Sequence, residues 1–407
     1  MAEKIKKKEK WIFIVSLMIL LAFFTQLFNF PNKLAIICTF LICIIYCIVQ
    51  KKVLFGTREV LLLITMLLYI WFSGRRNFTG ISIVVLLVLF QMTARYLENS
   101  SGNSEIMIQR LWLLLGVFVL GYTIHAALNA KMFLKLGSDF QVRRWMDFWT
   151  GSDVPATQHN FYYLPVMALV FPALLYIKRR KLVCSLILIA AVFSLWFSLI
   201  TQSRSLLFIF MLVFIWEIFL LVVYNWKDKK RRRKIFCCGG IVLAVLIVAG
   251  WLVWLNRDAI QLTSFYTIFS RDGGILHNVR FQAQYNVVKQ LFVYPFGGYQ
   301  MDLAGLNYAH NVWLDMANAA GVIPFVLMLV YTLLGMYDLF FLLRSEKVCQ
   351  AVKYVISGLW IVMILYYMVE PALESSVQFI VPWTFMNGLI YQYNRREKAE
   401  VAVNGEK

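Results

Sequence analysis

Charge is scarce in this 407-residue chain. Asp, Glu, Lys and Arg make up 15% of it against 61% hydrophobic residues, and the mean hydropathy is +0.70, which excludes an ordinary water-soluble globular domain. Histidine is scarcer still. There are four, with no His-x-x-x-His pair, so a zinc site of that signature is excluded. No Gly-x-x-x-x-Gly-Lys-Ser/Thr loop is present, so the energy for any reaction must come from an activated substrate rather than a bound nucleotide. The seven cysteines, Cys38, Cys43, Cys47, Cys184, Cys237, Cys238 and Cys349, all fall in apolar spans or in segments assigned below to the cytoplasmic side, which argues against a disulfide framework. Cys237-Cys238 has neither metal-ligand spacing nor a nearby histidine and reads as a pair of packing residues.

What the chain has in abundance is long apolar runs. They are continuous rather than alternating, and backbone groups in hydrocarbon are satisfied only in helices or closed barrels, so the fold class is all-α. The reading is a polytopic membrane protein with about twelve spans, near 11–28, 34–50, 59–72, 78–94, 111–128, 161–177, 182–200, 205–224, 235–255, 322–343, 351–369 and 376–393. Residues 1–407 form a single membrane domain, with one large extracytoplasmic loop, 256–311, between the ninth and tenth spans. Span 1 is expected to be a retained anchor, because no small-x-small cleavage pattern precedes Phe30-Pro31.

The basic residues orient the chain. With Lys4, Lys6, Lys7, Lys8 and Lys10 in the cytoplasm, alternate loops inherit Lys178-Arg179-Arg180-Lys181 and the run from Lys227 to Lys234, and both termini are cytoplasmic. The formal charge of +19 is then a topology signal with attraction to anionic lipids, not a nucleic-acid surface. His125, His159, His277 and His310 all map to the opposite side.

Two outer segments are long. From Ala130 to His159, aromatic and basic residues interleave, Trp145 and Trp149 among Arg143, Arg144, Asp147 and Asp153, which suits a helix lying in the membrane interface. In the second, Leu276, Val279, Ala283, Val287 and Leu291 form an apolar stripe at helical spacing edged by His277, Arg280 and Gln284. Pro295 and Gly297-Gly298 stop that helix. Asn311 then reads as the N-cap of a short helix from Val312 to Ala320, which leaves His310 just outside a positive helix end.

Arg204 sits in the short turn Thr201-Gln202-Ser203-Arg204-Ser205 near the outer boundary, where a snorkelling role and a site role weigh evenly on its own. Set beside Arg280 and His310, it suggests two guanidiniums on a diphosphate and a histidine to take a proton from a hydroxyl. Glu370 and Glu374 flank the turn between the last two spans and are candidates to hold an arginine or a sugar. Glu217, deep in the eighth span, is expected to have a partner inside the bundle. Asp302 and Asp315 are expected to be exposed loop carboxylates, with fixing of the His310 tautomer as the other reading.

Asn160-Phe161, Ser203-Arg204, Arg280 followed by Tyr294-Pro295-Phe296-Gly297-Gly298, and His310-Asn311 with Leu314 and Gly321 together resemble, over residues 159–335, the O-antigen ligase and polymerase family of bacterial surface polysaccharide assembly. The family often has Gly-x-Gly where this chain has Gly297-Gly298-Tyr299. The resemblance implies an inner-membrane, metal-independent, cofactor-free and inverting glycosyltransferase that uses an undecaprenyl-diphosphate-linked sugar. Arg204 and Arg280 would neutralise the leaving diphosphate and His310 would be the general base. Beside these, Asn311 is taken as a support residue and Arg143-Arg144 as a candidate for glycan or headgroup contact, and with Glu370 and Glu374 they complete the candidate substrate-binding set. It leaves room for flippase and chain-length regulator proteins as partners.

Two activities fit that family. A polymerase adds the lipid-linked chain to another lipid-linked repeat unit, as in capsule or O-antigen assembly, and this is the activity we favour. A ligase moves it to a different anchor such as lipid A core. From another class, a flippase or transporter shares the twelve-span plan, but the two halves of this chain differ, the long loop having no counterpart after the third span.

Overall fold

The computed structural model describes residues 2–29, 32–99, 104–136, 144–201, 203–229, 233, 279–375 and 377–405. The expected ninth span, the first part of the large loop to residue 278 (with His277), Arg143, Cys237 and Cys238 lie outside them. The chain is a helical bundle. Its first half runs through α1 (Ala2–Phe24), α2 (Asn32–Gln50), α3 (Thr57–Phe72), α4 (Phe78–Asn99) and α5 (Ser104–Leu136). A small hairpin follows, β1 (Arg144–Met146) with β2 (Asp153–Pro155). Then come α6 (Ala156–His159), α7 (Leu164–Met167), α8 (Val170–Tyr176), α9 (Lys181–Ile200) and α10 (Arg204–Tyr224). The last part holds α11 (Val279–Gln290), α12 (Val312–Ala320), α13 (Val322–Arg344), α14 (Gln350–Val369), α15 (Ala372–Ser375) and α16 (Val381–Gly405).

Seven of the described helices, α2, α4, α5, α9, α10, α13 and α14, are long and apolar enough to cross a membrane. Their burial separates centre from rim. α4 and α14 are the most enclosed of the seven, and the most extensive helix pair is α4 with α16. α9 and α10 turn Leu182, Ile189, Val192, Phe208, Met211 and Ile215 outward, as helices facing hydrocarbon do, since no hydrophobic gain separates a lipid tail from a leucine.

Polar contacts mark the two ends of the bundle. At one end Arg58 pairs with Asp338 at 2.8 Å, the buried Arg95 pairs with Glu59, and Arg396 Nη1 donates to the Glu98 carbonyl at 2.9 Å. At the other, Gln26 Nε2 donates to Tyr162 Oη at 2.9 Å and Tyr122 Oη to the Gln378 carbonyl at 3.0 Å.

Two expected elements take a different form. The segment expected to run as one span over 161–177 is a string of short turns, α6, a 3-10 turn at Asn160–Tyr163, α7 and α8. Pro165 and Pro172 explain the breaks, because each removes a backbone donor and crowds the preceding turn. The described residues between 130 and 159 do not form an interfacial helix either. α5 runs on to Leu136, and the hairpin that follows folds inward, so that Trp145 is fully buried and stacks on His159 with ring centroids 4.2 Å apart. The inward fold is driven by polar partners from α5. Asp147 Oδ2 accepts from His125 Nε2 at 2.8 Å and from Asn129 Nδ2 at 3.0 Å, and these two donors lie one helical turn apart.

Candidate functional site

At the end of the bundle that carries the hairpin, the carboxylate of Glu370 gathers two other groups. Glu370 follows the last residue of α14 and is 2% exposed. Its Oε1 accepts from Arg280 Nη1 at 3.0 Å, and its Oε2 lies 3.7 Å from His310 Nδ1. The same Arg280 nitrogen donates to the Val369 carbonyl at 2.9 Å. Gln284, one turn further along α11, reaches the carbonyls of His310 and Met368 at 3.4 Å, and Asn311 Nδ2 reaches Met368 at the same distance. The edge of α11 that carries Arg280 and Gln284 therefore fastens the loop around His310 to the last turn of α14.

The backbone at His310 is held in the left-handed region, φ 56°, which is uncommon for a residue with a side chain. Two features hold it there. Asp315, inside α12, accepts from the backbone N–H of Ala309 at 2.6 Å and of Asn311 at 3.1 Å, so it grips the chain on both sides of the histidine. Asn311 caps α12 by accepting from Trp313 and Leu314 N–H, both at 3.2 Å. Asp315 is thus buried, at 2% exposure, and not the exposed carboxylate expected, and it works on the backbone rather than on the imidazole. Burial pushes its pKa up to about 7, against the backbone N–H groups of Ala309, Asn311 and His310 that favour the ionised form. Asp302 is exposed and accepts from the Ala304 N–H at 2.8 Å.

The turn after α11 rests on α12 largely through backbone, with the Met301 N–H also donating to Asn318 Oδ1 at 3.3 Å. Gly298 and Tyr299 N–H donate to the Ala319 and Asn318 carbonyls, and Val322 N–H to Pro295, all at 2.9 Å. Contact that close requires glycine. A Cβ on Gly297 would meet the Ala320 nitrogen at 2.5 Å, and one on Gly321 would meet the Pro295 oxygen at 2.0 Å. Beneath this cap Ala283, Val287, Leu291, Met301, Leu303, Ala309 and Ala317 form a small apolar cluster.

Glu374, four residues beyond Glu370, gathers a second group that the sequence reading missed. Tyr69 Oη donates to its Oε1 at 2.6 Å, Arg75 pairs with Oε2, and Tyr299 Oη stands 3.4 Å from both oxygens. The only signal was an arginine at the end of a short span with a tyrosine in its last turn.

Arg204 opens α10 and is half-buried. α10 and α14 pack with Tyr224 against Tyr354 and Glu217 against Gly358, an antiparallel order that puts Arg204 at the end where α14 finishes at Val369. Arg280, His310, Asn311 and Glu370 come together directly. Arg144 does not join them; it is exposed on the hairpin and pairs with the exposed Asp153 at 3.3 Å, a contact of little energetic weight. Glu217 is buried against Gly358, and its Oε1 has no hydrogen-bond partner among the described residues. Among the described residues no group of three or more His, Cys, Asp or Glu side chains could hold a metal ion.

No family model matches the chain, and no curated protein matches it.

Proposed function

We propose that the protein is a membrane glycosyltransferase that polymerises undecaprenyl-diphosphate-linked oligosaccharide repeat units. The observation that carries the proposal is the bridge by which one buried carboxylate, Glu370, aligns a permanently charged guanidinium, Arg280, with an imidazole, His310. A transfer from a lipid diphosphate needs both groups close together. The bond between the anomeric carbon and the phosphate oxygen breaks, and its electron pair leaves with the diphosphate. Arg280, with Arg204 from the same end of the bundle, stabilises that developing charge, the contribution that dominates most such reactions. The acceptor hydroxyl attacks the anomeric carbon from the opposite face and gives its proton to His310, so the configuration inverts. Glu370 Oε2 stands 3.7 Å from His310 Nδ1, too far for a hydrogen bond but close enough for its charge to stabilise the imidazolium that forms when Nε2 takes the hydroxyl proton. Asn311 and Glu374 border the substrate.

In this reading twelve helices cross a bacterial inner membrane, both termini are cytoplasmic and the Glu370 site is extracytoplasmic. The basic loop Lys178-Arg179-Arg180-Lys181 lies at the opposite end of α9 from the Arg204 turn, in keeping with positive charge held inside.

The test is deletion of the gene and complementation with Arg204→Ala, Arg280→Ala and His310→Ala, reading surface glycan as a length ladder. Loss of the ladder with single repeat units still attached marks a polymerase, and loss of all attached glycan marks a ligase. Wild-type glycan from all three variants defeats the proposal.

A further inference from the structure

Between the end of α3 and the turn that follows α11 lies a cavity of about 360 Å³, a size that suits a small ligand. Trp71 and Phe72 form one wall, and Tyr294, Phe296 and Gln300 the other. The rings of Phe72 and Phe296 stack on each other with centroids 5.5 Å apart and close one side of it. Arg76 closes the rim. Its guanidinium lies 4.0 Å over the Trp71 ring, and its Nε and Nη2 donate to the Trp71 carbonyl at 3.3 and 3.2 Å, so a cation is held flat against an indole. Trp71 is 59% exposed and Phe296 62%. One face of Trp71 carries Arg76 and one face of Phe296 carries Phe72, so a ligand would meet the ring surface those contacts leave exposed. Phe292 and Val293, also exposed, continue this surface as an apolar strip.

A chain of contacts leads from the cavity's edge toward the Glu370 site. Tyr299, beside Gln300, has its ring 5.9 Å from the Arg75 guanidinium, and Arg75 pairs with Glu374. The short stretch from Glu370 to Glu374 therefore lies between the two places, with Arg280 and His310 near one carboxylate and, on the other, Arg75 and Tyr299, which adjoin the cavity-lining Arg76 and Gln300 in sequence. An apolar ligand would leave the remaining donors of Arg76 and the amide of Gln300 unused. A bare phosphate would leave the aromatic faces bare. A sugar ring joined to a phosphate uses both, its C–H face against the rings, its hydroxyls on the amide and its anion on the guanidinium.

We propose that this cavity is the acceptor subsite and binds the sugar-phosphate head of a second lipid-linked molecule, whose tail runs along Phe292 and Val293. The proposal rests on the glycosyltransferase reading and makes the acceptor chemically the same as the donor, as polymerisation requires. The acceptor hydroxyl then approaches His310 from the Glu374 side, while the donor diphosphate lies on Arg280.

The test is native mass spectrometry of the full chain in detergent with a polyprenyl-diphosphate-linked oligosaccharide, and with phosphatidylglycerol as a sugar-free phosphate lipid. The wild type is expected to bind two copies of the glycolipid. Trp71→Ala with Arg76→Ala, both at exposed side chains, should bind one, with the second weakened tenfold or more and thermal unfolding unchanged. Arg280→Ala should also bind one, and the combined variant none. Two copies on the Trp71/Arg76 variant overturn the proposal, and so does phosphatidylglycerol filling the cavity as tightly as the glycolipid. If Arg280→Ala keeps two copies and full activity, the glycosyltransferase reading fails, whatever the cavity binds.

Discussion

Glu370 Oε1 and Arg280 Nη1 lie 3.0 Å apart across 90 residues of sequence, and the carboxylate is 2% exposed. A buried carboxylate with a guanidinium on one oxygen has its charge neutralised in place, and its other oxygen is then aimed at His310. Removing the charge but not the shape separates these roles. Glu370→Gln should still bond Arg280 but no longer hold the imidazole as a carboxylate does, so polymer formation should fall roughly tenfold to a hundredfold, or about 1.4–2.7 kcal/mol of barrier. His310→Ala should cost more, about 10²–10⁴-fold. Initial rates on lipid-linked repeat units read this directly, and equal rates for Glu370→Gln and wild type would remove Glu370 from the mechanism.

Asp315 gives a pH dependence whose sign is fixed by burial. Its pKa in the folded chain, about 7, stands above the ordinary 3.8, so the folded state holds this proton more tightly than the unfolded state does. The side chain therefore costs stability as pH rises, from near its ordinary pKa until the cost is complete by about pH 7. Asp315→Asn cannot titrate. The difference in melting temperature between wild type and Asp315→Asn should move against the wild type across that window and level off above it. A difference that stays constant with pH would mean that the carboxylate does not change charge there.

Much of this site could be read from local pattern. The stripe from Val279 to Leu291, the Asn311 cap and the short helix to Ala320 each follow from residues within one or two turns, and α11 and α12 have those limits within a few residues. Glu370 could be named as a candidate because a carboxylate at a tight turn between spans is costly and rare. Tyr69, Arg75 and Tyr299 could not, since they meet Glu374 only through the packing of α3 and the turn after α11 against α15, contacts spanning 305, 299 and 75 residues of sequence. The inward hairpin was hidden for the same reason. Trp145 and Asp147 look amphipathic in sequence, and only the polar edge of α5 turns that pattern into a buried network. Asp315 was misread because a carboxylate in a loop-flanking turn is usually solvated, and its backbone partners depend on the left-handed bend at His310.

The glycine pair at 297 and 321 should respond differently from Gly298. All three have positive φ, so alanine costs about 1–3 kcal/mol of backbone strain at each. At Gly298 nothing but the flexible Gln300 side chain lies near the new methyl, at 3.7 Å, whereas at Gly321 the methyl would stand 2.0 Å from the Pro295 carbonyl. Gly298→Ala should leave a folded protein a few degrees less stable. Gly321→Ala and Gly297→Ala should separate the turn from α12 and abolish activity. Melting curves and activity of the three purified variants decide the matter, and similar losses at all three positions would refute the close-contact account.

The hairpin offers the last test, because its attachment to α5 depends on one charge. Burial alone would raise the pKa of Asp147, but hydrogen bonds from His125, the Thr150 N–H and Asn129 hold it well below the usual carboxylate range. A group with a depressed pKa stabilises the fold above its unfolded value and loses that contribution as pH falls through the folded one. At neutral pH the attachment is therefore complete. Asp147→Ala leaves the His125 and Asn129 side chains buried without this acceptor, a loss of about 1–3 kcal/mol for each unsatisfied group. The hairpin should then become a site of proteolytic nicking in Asp147→Ala while the wild type resists, with activity reduced less than in Glu370→Gln because no hydrogen bond joins the hairpin to Glu370 among the described residues. If the variant resists protease as the wild type does, Asp147 is not what holds the hairpin down, and the Phe148 N–H bond to Asn129 Oδ1 and the packing of Trp145 on Phe133 hold it instead.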